Sequence, residues 1–394
     1  MKQKNFKEIY DSIYASFGQA LESKRKTVLG KKITAFIIGV CLSVVIFILF
    51  VNSPYIPLIC IIIVLIIIII IFALNKINKD YILFYKEKAI KEIVKQSNPN
   101  LTYCYYKGIS SNEYAESKFD FGWDRYHTED LIEGTLEDGS TLRMAQVHTE
   151  EEHTSTDSDG HTTTTYVTTF LGLYGIIGLK TATRADFMIK DNSKFAKFNK
   201  NRIEMESAEF EKYYDVYTNN ITNDITNINE TIILSPDEID KVISKDMKKI
   251  NTKYLDKLFK EHTKNKDNTS DRQNAMEILT PEAIEEFVKI RNIFKKPINV
   301  RVSGDMIYFR IAVGDIFEPP TFKSSINFDM LRKYFLMIDV PRMLYETLID
   351  SILVMYGDQD AKENRNISKM SDAEKQEYMK NKQEEEESTY FSHN

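Results

Sequence analysis

Residues 33 to 74 carry no formal charge, and that stretch constrains the chain more than any other. It holds two apolar runs, Ile33 to Val51 and Tyr55 to Leu74, of 19 and 20 residues, separated by Asn52-Ser53-Pro54. A helix needs about 20 residues to cross ~30 Å of hydrocarbon, so each run predicts a transmembrane helix. The second run includes six consecutive isoleucines, Ile66 to Ile71. Isoleucine favours strands, but strands seldom exceed about ten residues, and the length decides for helix. Asn52-Ser53-Pro54 supplies a break. Pro57 stands near the start of the second run, where its missing N–H costs least. The expectation is a transmembrane hairpin over 33–74.

The flanks set its orientation. Residues 1–32 hold eight Lys/Arg against three Asp/Glu, and residues 76–95 hold six against three. The positive-inside rule then places both termini in the cytoplasm, as in a multi-pass protein of the cell membrane. The lipid bilayer is therefore the first expected partner, its anionic inner leaflet matching the cationic flanks. The remaining residues contain 38 Lys/Arg and 52 Asp/Glu. An acidic body lacks the field that neutralises phosphates, so no nucleic-acid partner is expected. Three cysteines, Cys41, Cys60 and Cys104, form no disulfide framework and no CxxC.

The organisation predicted is a cytoplasmic amphipathic helix over 1–32, the hairpin over 33–74, a helical stalk over 75–98, a cytoplasmic domain over 99–357 and a disordered charged tail over 358–394. Phe6, Ile9, Tyr10, Ile13, Tyr14, Phe17 and Leu21 recur at spacings of three and four, as do Tyr81, Phe84, Tyr85, Ala89, Ile90 and Ile93. The domain reads as α+β, built on an antiparallel sheet. Strands are expected at Phe119–Tyr126, Asp130–Leu136, Thr141–His148, Thr162–Tyr174 and Arg184–Ile189, with an Asp138-Gly139 turn and a hairpin pointing into solvent. Ser207–Tyr217 predicts a helix, because Phe210, Tyr213, Tyr214 and Tyr217 share one side. Thr231–Leu234 predicts a short strand, followed by a helix from Ser235 to about Ile250. Lys257–Arg272 predicts a flexible excursion. A hairpin is expected around Ser303-Gly304-Asp305, and a helix over Asp329–Met355 interrupted at Pro341. Within the first apolar run, Ala35, Gly39 and Ser43 make a stripe of small residues, the spacing at which helices approach closely. It predicts packing against the second run, leaving Phe36, Phe47 and Phe50 outward.

Candidate metal ligands are His148, His153 and His161, near Glu150, Glu151, Glu152, Asp157 and Asp159. His148 and His153 are five apart, so the helical HExxH arrangement is absent, and the surrounding composition is that of a hairpin tip. Asp157 and Asp159 lack the later ligand positions of an EF-hand. Gly172 to Gly178 lacks phosphate-loop spacing. Glu204, Glu206, Glu209 and Glu211 suit a helix N-terminus, with Ser207 as the cap. No catalytic constellation and no cofactor site is expected.

Several short segments resemble one family. They are Glu206-Ser207-Ala208-Glu209-Phe210 within Ile203–Tyr217, Leu234-Ser235-Pro236, Phe317-Glu318-Pro319 within Asp315–Pro319, and Phe170-Leu171-Gly172-Leu173-Tyr174. In order, and with the two early apolar runs, they are similar to the uncharacterised, galanin-like bacterial membrane family DUF3137, over residues 5 to about 350. Thr231-Ile232 stand where that family has Arg-Tyr. The resemblance implies a membrane architecture and supplies no catalytic residue. The function expected is a non-enzymatic, membrane-anchored interaction or scaffolding protein, with a protein partner or self-association. The alternative is a membrane-associated, metal-dependent hydrolase or lipid-modifying enzyme using His148, His153 and nearby carboxylates.

Overall fold

The structure is a computed structural model that describes residues 6–50, 56–120, 122–156, 161–192, 201–218, 268–322, 326–371, 373–378 and 380. The expected strand at Thr231–Leu234, the helix after Ser235 and the Asp157 and Asp159 positions lie outside them. The chain divides into two units.

The first unit comprises the chain up to Gly178, Ala312–Tyr345 and the chain from Glu363. It opens with α1 (Phe6–Ile13), which passes through a π-helical turn, Tyr14–Gly18, into α2 (Gln19–Phe50). A second long helix, α3 (Ile56–Tyr85), passes through another π-helical turn, Lys86–Ile90, into α4 (Lys91–Ser97). Of the apolar positions expected at helical spacing, Ile9, Ile13 and Leu21 on one side and Tyr81, Tyr85, Ala89, Ile90 and Ile93 on the other are buried, Phe6, Tyr10, Phe17 and Phe84 are half-buried, and Tyr14 is exposed.

The helices correct the membrane expectation. Among the described residues one helix, Phe6–Ile48, is long and apolar enough to cross a bilayer. Among the described residues of the second long helix, the stretch that counts as apolar helix is Ile63–Phe72, ten residues, short of the ~20 that a span needs. The two-span transmembrane hairpin, and with it the multi-pass placement with both termini cytoplasmic, is therefore replaced by one candidate span. The small-residue stripe behaves as expected: Gly39 is buried, and a Cβ there would lie 3.0 Å from Ile70 Cδ1 on α3. Phe36 and Phe47 point outward, 68% and 58% exposed. Phe50 has no described side chain.

The unit's sheet runs β1 (Leu101–Cys104), β2 (Arg125–Thr135), β3 (Thr141–Thr156) and β4 (Thr162–Gly178), neighbours in that order and antiparallel. The sheet is open. Gly139, at φ 85°, makes the expected turn, and Asp138 accepts hydrogen bonds from the Ser140 N–H at 3.0 Å and hydroxyl at 2.8 Å. Of the strand expected over Phe119–Tyr126, residues 119–120 and 122–124 are not strand, and β2 begins at Arg125. The helix Ser111–Glu116 is followed by Lys118 at φ 53°. Tyr114 from that helix meets Tyr174 of β4 edge-on at 4.7 Å.

The second unit comprises Leu179–Ile311 and Glu346–Lys362. Its strands are β5 (Asp186–Asp191), β6 (Arg202–Ile203), β7 (Tyr214–Thr218), β8 (Ile298–Ser303) and β9 (Met306–Ile311), in the order β9-β8-β5-β7-β6, with all four neighbouring pairs antiparallel. The Ser303-Gly304-Asp305 hairpin forms as expected, with Gly304 at φ 62°. The helix expected over Ser207–Tyr217 shrinks to Ala208–Glu211, although Ser207 does cap it by accepting from the Phe210 N–H at 3.3 Å. Tyr214–Thr218 pairs with β5 instead, all five residues buried. Aromatic and β-branched side chains suit a strand as well as a helical face, and tertiary pairing decides. Two further differences concern helices. The helix Phe328–Tyr356 passes through Pro341 without a break, and Gln359–Lys369 is helical where a disordered tail was expected. Asp358 Oδ1 accepts from the Ala361 N–H at 2.7 Å and so caps the latter.

Candidate functional site: a buried lysine among carboxylates

The four buried residues around Tyr81, Tyr85, Ala89 and Ile90 share their helical face with one charged side chain, Lys86. Its side chain is 3% exposed, and burying an ammonium is costly unless it is paired. Three carboxylates provide that pairing. Lys86 Nζ lies 2.8 Å from Asp130 Oδ2, 2.9 Å from Glu318 Oε1 and 3.5 Å from Glu129 Oε2. An ammonium has three donors, and here they face three oxygens.

Asp130 reaches this position through irregular backbone. The β2/β3 register shifts between Glu129 and Ile132, and Asp130 sits at φ 61°, a conformation Asp tolerates better than most residues. Its N–H donates to Tyr105 O at 3.2 Å, and the Leu131 N–H donates to Lys107 O at 3.0 Å. The bulge turns the Asp130 side chain, 0% exposed, inward. The Tyr103 hydroxyl donates to its Oδ1 at 2.5 Å. Both carboxylate oxygens are thus occupied.

Glu318 arrives on a second irregular segment. Phe317 is fully buried at φ 60°, a conformation uncommon for a bulky side chain. Its ring packs edge-on against Tyr103 at 6.1 Å and Tyr334 at 5.2 Å. Tyr334 donates to Glu318 O at 3.1 Å, and Gln146 Oε1 accepts from the Ile316 N–H at 2.7 Å. The next residues grip both long helices: Tyr81 OH donates to Pro320 O at 3.1 Å, and Arg25 Nη1 donates to Thr321 O at 2.9 Å. Strained backbone of this kind persists only where its surroundings hold it.

The electrostatics follow from enclosure. Burial pushes the Asp130 carboxyl up to about 6, against the opposing pull of Lys86 and the Tyr103 hydrogen bond. Burial also works against the Lys86 charge, but Asp130 and Glu318 overcome it and hold the ammonium above its ordinary pKa. Burial, with Asp130 next to it, drives the Tyr103 phenol far above its usual range. Lys86 is therefore a donor held in its charged form, whereas a lysine nucleophile needs a lowered pKa. Only Glu129 and Glu318 reach the surface, at 31% and 37% exposure.

The histidines lie elsewhere. His148, on β3, contacts Thr168 Oγ1 through Nε2 at 2.9 Å, with Glu150 Oε1 at 3.8 Å. His153 lies further along β3, exposed, opposite Thr165, and His161 precedes β4, also exposed. Five residues of strand at about 3.4 Å each separate His148 from His153 by roughly 17 Å, and the odd spacing turns them to opposite faces. Among the described residues no three His, Cys, Asp or Glu side chains are grouped for a metal. Glu206 and Glu209 are likewise not paired with each other in any described bond, whereas Glu211 accepts from Arg202 Nη2 at 3.1 Å.

Sequence reasoning passed over Lys86, Asp130 and Tyr103. The one available signal was Lys86 itself, a lysine four residues before Ile90 and seven before Ile93 on an otherwise apolar stripe.

Residues 268–349 match the model of a family described as a protein of unknown function, DUF3137. The match spans less than a quarter of the chain, and of the four quoted segments it contains Asp315–Pro319 alone. It thus supports the resemblance over that stretch and carries neither a bacterial origin nor a membrane class. Within it lie Phe317, Glu318 and Tyr334, the helix-gripping half of the lysine cluster. No curated protein and no solved structure matches the chain.

Proposed function

We propose that this protein is a membrane-anchored interaction scaffold: α2 holds it at the bilayer, and the far end of the β3/β4 ribbon is the part that protein partners engage. The observation that carries this reading is the ribbon's exposure. The β2 pairing stops at Arg125↔Glu150, and beyond it Glu151–Thr156 of β3 pairs with Thr162–Val167 of β4. Side chains on both faces there are exposed apart from half-buried Tyr166. Six residues at about 3.4 Å make an arm of roughly 20 Å. One strand is acidic through Glu151 and Glu152, the other nearly all threonine. An exposed ribbon edge is a template for strand addition by another chain. The lysine cluster fits the same reading, since it ties the anchoring helices to the sheet that bears the ribbon.

Cross-linking in native membranes followed by mass spectrometry tests this. The expected result is a reproducible protein joined through residues 151–167, lost when the ribbon is shortened to a tight turn after Glu150. Recovery of lipid and general background alone would refute it.

A further inference from the structure

Phe322 is 80% exposed, more than any other large apolar side chain described. The two residues before it are held: Pro320 O by Tyr81 OH and Thr321 O by Arg25 Nη1. Arg25 is itself fixed by Glu22, at 2.9 Å and 2.6 Å. The backbone that leads into Phe322 is therefore tied to both long helices.

What surrounds it identifies the occupant. The helix segments that hold the loop carry exposed Lys24, Lys26, Lys31 and Lys79, with Lys32 bonded to Asn78 at 3.1 Å. Eight residues beyond Arg25, at about 12 Å along the helix axis, begins the exposed apolar surface of α2: Ile33, Phe36, Ile37, Ile38 and onward to Ile48. An aromatic side chain, a cationic collar and an apolar belt in sequence along one axis match the layers of an anionic bilayer surface. We infer that Phe322 is a membrane-contact residue, seated among the headgroups and first acyl carbons of an anionic leaflet, and that it rests the Asp315–Thr321 strap against lipid. This rests on the anchored reading of α2.

The test uses the full chain reconstituted in vesicles of phosphatidylcholine and phosphatidylglycerol whose acyl chains are brominated near the carbonyl. Phe322→Trp adds one tryptophan, and the parent protein, with Trp123 as its single tryptophan, supplies the baseline. The added emission is expected to fall by about half or more on contact with brominated lipid, as befits a ring within ~5–10 Å of the acyl boundary. Emission that is blue-shifted but unquenched would mean that protein covers Phe322, and unshifted, unquenched emission would mean water; either overturns the inference. Phe36→Trp, placed in the apolar belt, separates the two claims. If it is quenched and the Phe322→Trp signal is not, the anchor stands and the contact fails; if neither is quenched, the anchor fails as well.

Discussion

Lys86 and Glu152 each belong to a polar group that combines a cation, carboxylates and a tyrosine. Lys86 sits with Asp130 and Tyr103 out of reach of water, and Glu318 closes the group from the surface side. Glu152, on the ribbon, accepts from Tyr166 OH at 2.8 Å while its own N–H donates to Asp124 Oδ2 at 2.6 Å, and Arg125 stacks over the Tyr166 ring. The residue types in the two groups are alike. Their environments differ, and with them the consequence of losing one partner. In the cluster the orphaned charge stays buried, whereas on the ribbon water replaces whatever is removed. The comparison teaches that polar contacts gain their structural weight from enclosure.

The largest expected effect follows directly. Lys86→Ala leaves Asp130 buried without its counter-ion, and should lower unfolding stability by about 3–5 kcal/mol. Chemical denaturation of the detergent-solubilised protein measures it at pH 7. A loss under 1 kcal/mol would mean that the cluster is wet and the contrast with the ribbon is void. The loss should shrink toward pH 5, where the carboxyl can take up a proton in place of its lost partner.

The second prediction concerns pH in the unaltered protein. Burial raises the Asp130 pKa in the folded state to about 6, from an ordinary 3.8. A raised carboxyl binds its proton more tightly in the folded state. Its contribution to stability is therefore fully present below the unfolded value and is lost as pH rises through about 6. The window is roughly pH 4 to 6, and the change is of order 2–3 kcal/mol at 1.36 kcal/mol per unit. Other carboxylates pull the opposite way, Glu113 among them, since its pKa is lowered where Ser110 and Arg143 bond it. The quantity to measure is thus the difference between the parent protein and Asp130→Asn, which should decline across that window. A flat difference would remove Asp130 from the account.

Why the ribbon could be read from the sequence and the cluster could not is a matter of range. The Asp138-Gly139 turn, the alternation of β3 and β4 and the Ser303–Asp305 hairpin are all encoded within a few neighbouring residues. The Ser207 cap and the Gly39 stripe are local too. The cluster joins Lys86 to Asp130, 44 positions on, and to Glu318 far beyond, and depends on two left-handed residues, Asp130 and Phe317, that no short pattern announces. Tyr214–Thr218 failed for a related reason: its aromatic spacing suits two kinds of structure, and the choice lay with β5. The second apolar run does form helix, within α3, and it is its reading as a span that is overturned.

The third prediction probes packing that is enclosed but apolar. Gly39 faces the end of one flexible side chain, Ile70 Cδ1, so Gly39→Ala needs a shift of a few tenths of an ångström. Gly39→Ile must displace that side chain outright and should cost about 1 kcal/mol, the low end for overpacking. Disulfide formation between cysteines placed at Ser43 and Ile66 should slow in the Gly39→Ile background. Unchanged efficiency would show that the stripe is not the contact between α2 and α3.

The smallest effect belongs to the ribbon. Tyr166→Phe removes the hydrogen bond to Glu152 but leaves the ring on which Arg125 stacks, and Glu152 keeps water as a partner. Exposed polar contacts of this kind are worth at most about 0.5 kcal/mol, so denaturation midpoints should coincide with those of the parent protein. The informative readout is therefore partner cross-linking. If the ribbon engages other chains, Tyr166→Phe or Glu152→Gln changes capture while stability stays fixed, whereas removing Lys86 from the buried cluster lowers stability as well. A stability loss above 1 kcal/mol from Tyr166→Phe would mean that something covers the ribbon within the chain itself, and the surface proposed for partners would already be occupied.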